Sequence, residues 1–269
     1  MGERSKDVKG EMAMATFAHG KIEATVLGSG PSVWIFHSLL ADAGSCMPLA
    51  QALSDRYTVT LPHLPGFAGS AIVGPKLPAI ADRMADAISA DNPAVTIIAN
   101  GYGSFVALIL ALRHPHLARK LVLAGTGAAF SELRRQAFRG MAAAVEAKGL
   151  SAIADVAMRR LFAPAFQEAN PDLMAERRTA FLGTDPVVFT GACAQLADLD
   201  LRGDVGRLTI PLLAMAGDGD EATPASMAEE LASLVPGAHY VGLPGLAHVP
   251  QLQAPAQFIA AITPFMAAG

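Results

Sequence analysis

The chain has 269 residues, 52% of them hydrophobic and 16% charged, with a formal net charge of −4. So apolar a composition buries a large core in one α/β domain of ordinary size. The scattered Lys and Arg form no stripe to meet a phosphate backbone or an anionic bilayer, which excludes nucleic acid and membrane as expected partners. Two cysteines, Cys46 and Cys193, are too few for a disulfide framework and fit a reducing, cytoplasmic setting.

The opening MGERSKDVKG is polar and lacks the apolar stretch of a secretory signal, and Lys6 stands where myristoylation needs Ser or Thr. Residues 1–12 are therefore expected to be a flexible tail. Short apolar runs then alternate with amphipathic stretches. Strands are expected at 32–37, 57–62, 95–99, 120–125 and 211–217, and helices at Met47 to Leu53, Leu77 to Ser89, Tyr102 to His114 and Ser226 to Leu234. This is the pattern of a mostly parallel sheet flanked by helices. It breaks once, between residues 126 and 201, where the chain reads as helical and strand-free and concentrates Phe130, Phe138, Leu161, Phe162, Phe166 and Phe181. An inserted helical cap over the strand ends accounts for this, with 13–125 and 202–269 as the core; the alternative is an extra helical layer that only fills core.

The run VTIIANGYGSFVALILALRHP reads as strand, sharp turn and helix. Its turn, Ala99-Asn100-Gly101-Tyr102-Gly103, resembles the G-x-S-x-G nucleophile elbow of the α/β-hydrolase fold, with Gly101 at the nucleophile position. Glycine has no side chain to attack with, yet it adopts the turn without strain. Ser104 is a poor substitute, since shifting the register by three would place Tyr102 and Val106 where small residues are required.

Three further segments are similar to the same family. IFHSLLADAGSC looks like its oxyanion loop, with His37-Ser38 in place of His-Gly, and implies that the backbone N–H groups of Leu39 and Tyr102 form an oxyanion hole. LPHLPGFAGS is similar to the D-x-P-G-x-G-x-S loop with His63 in place of Asp, and here a turn and helix lead-in is the preferred reading. IPLLAMAGDGDEATP resembles the late strand that carries the triad acid, implying Asp220, with Asp218 as rival, and VGLPGLAHVPQLQAP implies His248 as the triad histidine. His19, His114, His116 and His239 gain no such support. Within the family, the stretch leading to Asp220 looks most like 3-oxoadipate enol-lactonases and related hydrolases of small molecules. Aminoacrylate hydrolases are similar in having a small, non-nucleophilic elbow residue.

These resemblances imply a cofactor-free hydrolase or lyase in which a His248–Asp220 dyad and a backbone oxyanion hole act on a small activated carbonyl compound of the enol-lactone, ester, enamine or carbamate type, without a covalent nucleophile. Alternatives are an inactive ligand-binding pseudohydrolase and a Ser-to-Gly variant of a serine hydrolase. Ser38, Tyr102, Phe105, Phe130, Phe138, Phe162 and Val249 are expected to line the substrate pocket; Arg134 and Arg135 could meet a substrate carboxylate, but two adjacent arginines on a helix are more often solvated, which is the preferred reading. Cys46 reads as a small buried hydrophobe rather than a nucleophile. No His, Cys or carboxylate pair has metal-ligand spacing, and Gly101-Tyr102-Gly103 is not a dinucleotide fingerprint because Val106 occupies its third glycine position. The expected assembly is a monomer or homodimer.

Overall fold

A computed structural model describes residues 12–89 and 94–268, so the expected tail lies almost wholly outside the described residues. Eight strands form one sheet: β1 (Ala13–Phe17), β2 (Ile22–Leu27), β3 (Ser32–Phe36), β4 (Thr58–Pro62), β5 (Val95–Asn100), β6 (Ala118–Ala124), β7 (Leu212–Gly217) and β8 (His239–Leu243). Their spatial order is β1-β2-β4-β3-β5-β6-β7-β8. β2 pairs antiparallel with both β1 and β4, and the remaining pairs are parallel.

The helices are α1 (Met47–Leu53), α2 (Leu77–Ser89), α3 (Tyr102–Arg113), α4 (Glu132–Lys148), α5 (Ala154–Leu161), α6 (Pro164–Ala169), α7 (Pro171–Leu182), α8 (Pro186–Asp198), α9 (Ala225–Leu234), α10 (Pro250–Gln253) and α11 (Pro255–Ala267). They cover the sheet on both faces, which is why the central strands read as unbroken apolar runs. Alternate residues enter separate cores: Trp34, Phe36, Ile97, Leu121 and Leu123 face α2, α3 and α9, while Val33, Ile35, Ile98 and Val122 face α1 and α11. Among the described residues no helix is long and apolar enough to cross a membrane.

The sequence expectation omits β1, β2 and β8. β1 and β8 are the margins of the sheet and are largely exposed or half-buried, so they carry no continuous apolar run, and β2 interrupts its own with Glu23 and Thr25. Between β6 and β7 the chain is helical as expected. Only an isolated antiparallel bridge, Ala129 with Asp200, interrupts it, and the Leu201 N–H donates to Ala128 O over 2.8 Å. α4 and α8, the first and last helices of this segment, pack against each other just inside that bridge.

Candidate active site

Between β5 and α3 the backbone turns at Gly101 with φ 54° and ψ −121°, a region that favours glycine. Gly101 N–H donates to Ala124 O on β6 over 2.9 Å, which fixes the turn at the end of the sheet. The helix that follows is buried nearly all round, and its first turn approaches β3 so closely that a Cβ on Gly103 would lie 2.7 Å from both His37 O and Phe36 Cβ. Ser104 is wholly buried and donates its hydroxyl to Gly101 O over 2.6 Å, so it faces the helix start rather than open space.

Asp220, from the loop after β7, and His248, from the loop after β8, come together as the sequence implied. His248 Nδ1 lies 2.9 Å from Asp220 Oδ2 and 3.1 Å from Oδ1, with both side chains buried. Asp220 also accepts hydrogen bonds from Ala222 N–H and Thr223 N–H at 2.9 Å each, and from the Thr223 hydroxyl at 2.7 Å. Burial pushes its pKa up, but the His248 charge and these hydrogen bonds outweigh burial and hold the carboxyl below its ordinary value. An ionised carboxylate only accepts, so Nδ1 carries the proton whether the ring is charged or neutral, and in the neutral ring Nε2 presents a lone pair. The rival Asp218 accepts from Gly245 N–H over 2.9 Å and braces the loop leading to the histidine.

The lone pair of Nε2 has a partner the sequence reading gave a different task. Ser38, expected among the pocket residues, places its hydroxyl 3.1 Å from His248 Nε2. His37 sets this loop: Leu64 N–H donates to its Nε2 over 3.1 Å, so its protonated Nδ1 donates to Ser38 O over 3.0 Å. Burial lowers the His37 pKa to about 4, and the ring is neutral at physiological pH. The N–H groups of Leu39 and Tyr102 engage no hydrogen-bond acceptor among the described residues.

A narrow cleft opens over Ser38, Leu39, Gly101, Tyr102 and His248, with Phe105, Phe130 and Phe138 as apolar wall. The three phenylalanines contact in sequence, with ring centroids 5.1 and 4.9 Å apart. Two expected pocket residues lie elsewhere. Phe162 packs on Phe166 with centroids 5.1 Å apart, and Val249 is fully buried, its N–H donating to Leu161 O over 3.0 Å. Arg134 borders the cleft, but Arg135 does not: its guanidinium donates to Phe130 O, Ala197 O and Leu199 O, which ties α4 to the end of α8.

Sequence reasoning missed four participants. Thr223 was legible as the Thr of an Asp-x-x-Thr turn, the local pattern in which an Asp accepts from the backbone just ahead of it. Asn100 donates to His248 O over 2.7 Å and accepts from Gln251 over 3.3 Å; no sequence signal announces this. Arg160 and Met141 reach the cleft from α5 and α4, which only the packing of the inserted helices could show. Burial pushes the Cys46 thiol up to about 11, leaving it protonated among Ser45 and Gln251. No group of three or more His, Cys, Asp or Glu that could hold a metal occurs among the described residues.

This chain is similar to pimeloyl-[acyl-carrier protein] methyl ester esterase of Chromobacterium violaceum, at 28% identity over 243 residues, covering 88% of this chain and 94% of that one. It is also similar to 3-oxoadipate enol-lactonase 2 of Acinetobacter baylyi, at 29% identity over 131 residues, about half of each chain (49% and 48%). The crystal structure of the enol-lactonase from Burkholderia xenovorans LB400 superposes with a TM-score of 0.88 at 22% identity, covering 95% of this chain and 100% of that chain, which shows a shared fold. A family profile for the alpha/beta hydrolase fold matches residues 31–255, and with that match over most of its length the chain belongs to the alpha/beta hydrolase fold family.

Proposed function

We propose that the chain is a hydrolase or lyase acting on a small activated carbonyl compound, of the enol-lactone, ester, enamine or carbamate type. His248 serves as general base, Asp220 orients it, and the N–H groups of Leu39 and Tyr102 receive the developing oxyanion. The observation that carries this reading is the His248 ring, held 2.9 Å from Asp220 on one side and opening on its other side to the cleft beside Gly101. The helices of 126–201 act as the cap that supplies the apolar wall. The names of the relatives, a methyl ester esterase and an enol-lactonase, agree in reaction type.

Position 101 supplies no nucleophile, and its surroundings speak against a simple loss of serine: a Cβ built there would collide with Ser38 Oγ and stand 2.8 Å from His248 Nε2. Contact between His248 and Asp220 favours an enzyme over a silent binder, since a binder has no use for a tautomer-locked imidazole. A positioned base contributes about 10² to 10⁴ in rate and each oxyanion donor about 10² to 10³, enough for an activated carbonyl and too little for an unactivated amide. The test is turnover of p-nitrophenyl esters and enol-lactones by the native chain and by His248→Ala. A loss of about 10²-fold or more is expected. Equal rates in the two proteins would overturn the reading.

A further inference from the structure

We propose that Ser38, on the loop after β3, is the nucleophile of this site. The inference rests on the reading of His248 and Asp220 as base and orienter, and it names the group the base deprotonates. Three observations carry it. The Ser38 hydroxyl, the His248 ring and the Asp220 carboxylate form one continuous chain of contacts, 3.1 Å from Oγ to Nε2 and 2.9 Å from Nδ1 to Oδ2. Because Asp220 fixes the proton on Nδ1, the Ser38 hydroxyl must donate to Nε2, which is the direction in which a proton leaves an attacking hydroxyl. Ser38 also borders the cleft beside the Leu39 and Tyr102 N–H groups, whereas Ser104 donates to Gly101 O inside the turn.

Gly101 is the complement of this placement. The volume that a side chain at 101 would claim is the volume in which Ser38 Oγ sits, so the two positions cannot both carry a hydroxyl pointed at His248. Ser38 is moreover held as a nucleophile must be. Its carbonyl accepts from His37 Nδ1 at 3.0 Å and from Ala41 N–H at 3.3 Å, which fixes the backbone from which Oγ projects.

The reaction balances within the site. Ser38 Oγ bonds to the carbonyl carbon as its proton passes to His248 Nε2, and the carbonyl oxygen takes up negative charge facing the N–H groups of Leu39 and Tyr102. Collapse breaks the bond to the leaving alkoxide or enolate, which takes the proton from Nε2, and Ser38 is left as an ester. Water then gives a proton to Nε2 and attacks that ester. The acid departs and the proton returns to Oγ.

The experiment treats the native chain with diisopropyl fluorophosphate and locates the adduct by intact mass and peptide mapping. Turnover of p-nitrophenyl acetate is measured alongside in Ser38→Ala, His248→Ala and the double exchange Ser38→Gly with Gly101→Ser. The expected result is one phosphoryl group on Ser38, none in His248→Ala, and a loss of about 10²-fold or more in Ser38→Ala. In the double exchange the adduct moves to position 101. An unlabelled Ser38, or an adduct on Ser104, overturns the proposal even if Ser38→Ala fails to fold, since labelling needs only the native chain. Full turnover in Ser38→Ala alongside its loss in His248→Ala removes the nucleophile and leaves the base acting on water; full turnover in both removes both.

Discussion

A buried carboxylate stays ionised only where hydrogen bonds replace water, and at Asp220 they come from two backbone N–H groups, one hydroxyl and one imidazole. Asp220→Asn keeps the shape but removes the charge that locks the histidine tautomer, so kcat falls about 10²-fold or more with KM little changed. An unaltered kcat would remove Asp220 from the mechanism. Thr223→Val deletes the 2.7 Å hydroxyl contact and leaves the rest, and the expected loss in kcat is smaller, about tenfold, measured on the same esters. Residue by residue, the chemistry of this site is legible in sequence where a short motif fixes backbone geometry, as at Gly101, Gly103 and Asp220. It is not legible where only packing separates cleft from core. Phe138 and Phe162 are both inserted-segment aromatics with the same sequence signature, yet one walls the cleft and the other packs beneath helices.

At the scale of elements, the loop after β3 is clamped from several directions. Arg177 on α7 bonds Asp42 over 2.7 Å, and Asp42 in turn caps the short turn of helix that begins at Ala43. Arg177 is almost wholly buried while the Asp42 side chain is 35% exposed, so losing the pair costs less than breaking a fully buried one. Arg177→Met is expected to cost about 1–2 kcal/mol in urea denaturation and to lower kcat more than it raises KM, because the loop that holds Ser38 loosens. A change in KM alone would mean the pair serves only binding. On the opposite wall, Arg160 from α5 reaches the cleft and has no carboxylate partner among the described residues. Arg160→Gln is expected to raise KM about tenfold for a substrate that carries a carboxylate and to leave a neutral ester unaffected, as a lost charge-assisted hydrogen bond would. Equal KM changes for both would exclude the charge as the cause. The central elements are legible because both faces of their strands are buried. The strands at the margins and β2 are not, since a half-exposed strand carries a mixed sequence.

For the molecule as a whole, the buried imidazole of His37 ties stability to acidity. Its pKa falls from an ordinary 6.5 to about 4 because burial penalises the cation, so the unfolded chain binds more protons than the folded one between those values. The contribution is complete above pH 6.5 and is lost as pH falls towards 4, in the same direction as that of Asp220, whose carboxyl titrates below its ordinary value. Urea denaturation near pH 7 and near pH 5 is expected to differ by about 2 kcal/mol from His37 alone, and His37→Gln flattens that slope. A native chain equally stable at both values would contradict this.

The bridge between Ala129 and Asp200 makes the polypeptide leave the sheet layer and return to it at a single doorway. Helices of another length or lining can be spliced between these two residues without touching strand register, but the graft must carry over the ties that run from the segment to the site loops: Arg177 to Asp42, Arg134 to Glu221 O and Ala222 O, and Leu161 O to the Val249 N–H. Under the proposed reaction, a graft with its junctions at 129 and 200 that keeps those ties is expected to change which substrates the cleft admits, through Phe130, Phe138, Met141 and Arg160, more than it changes the rate for a substrate that still fits.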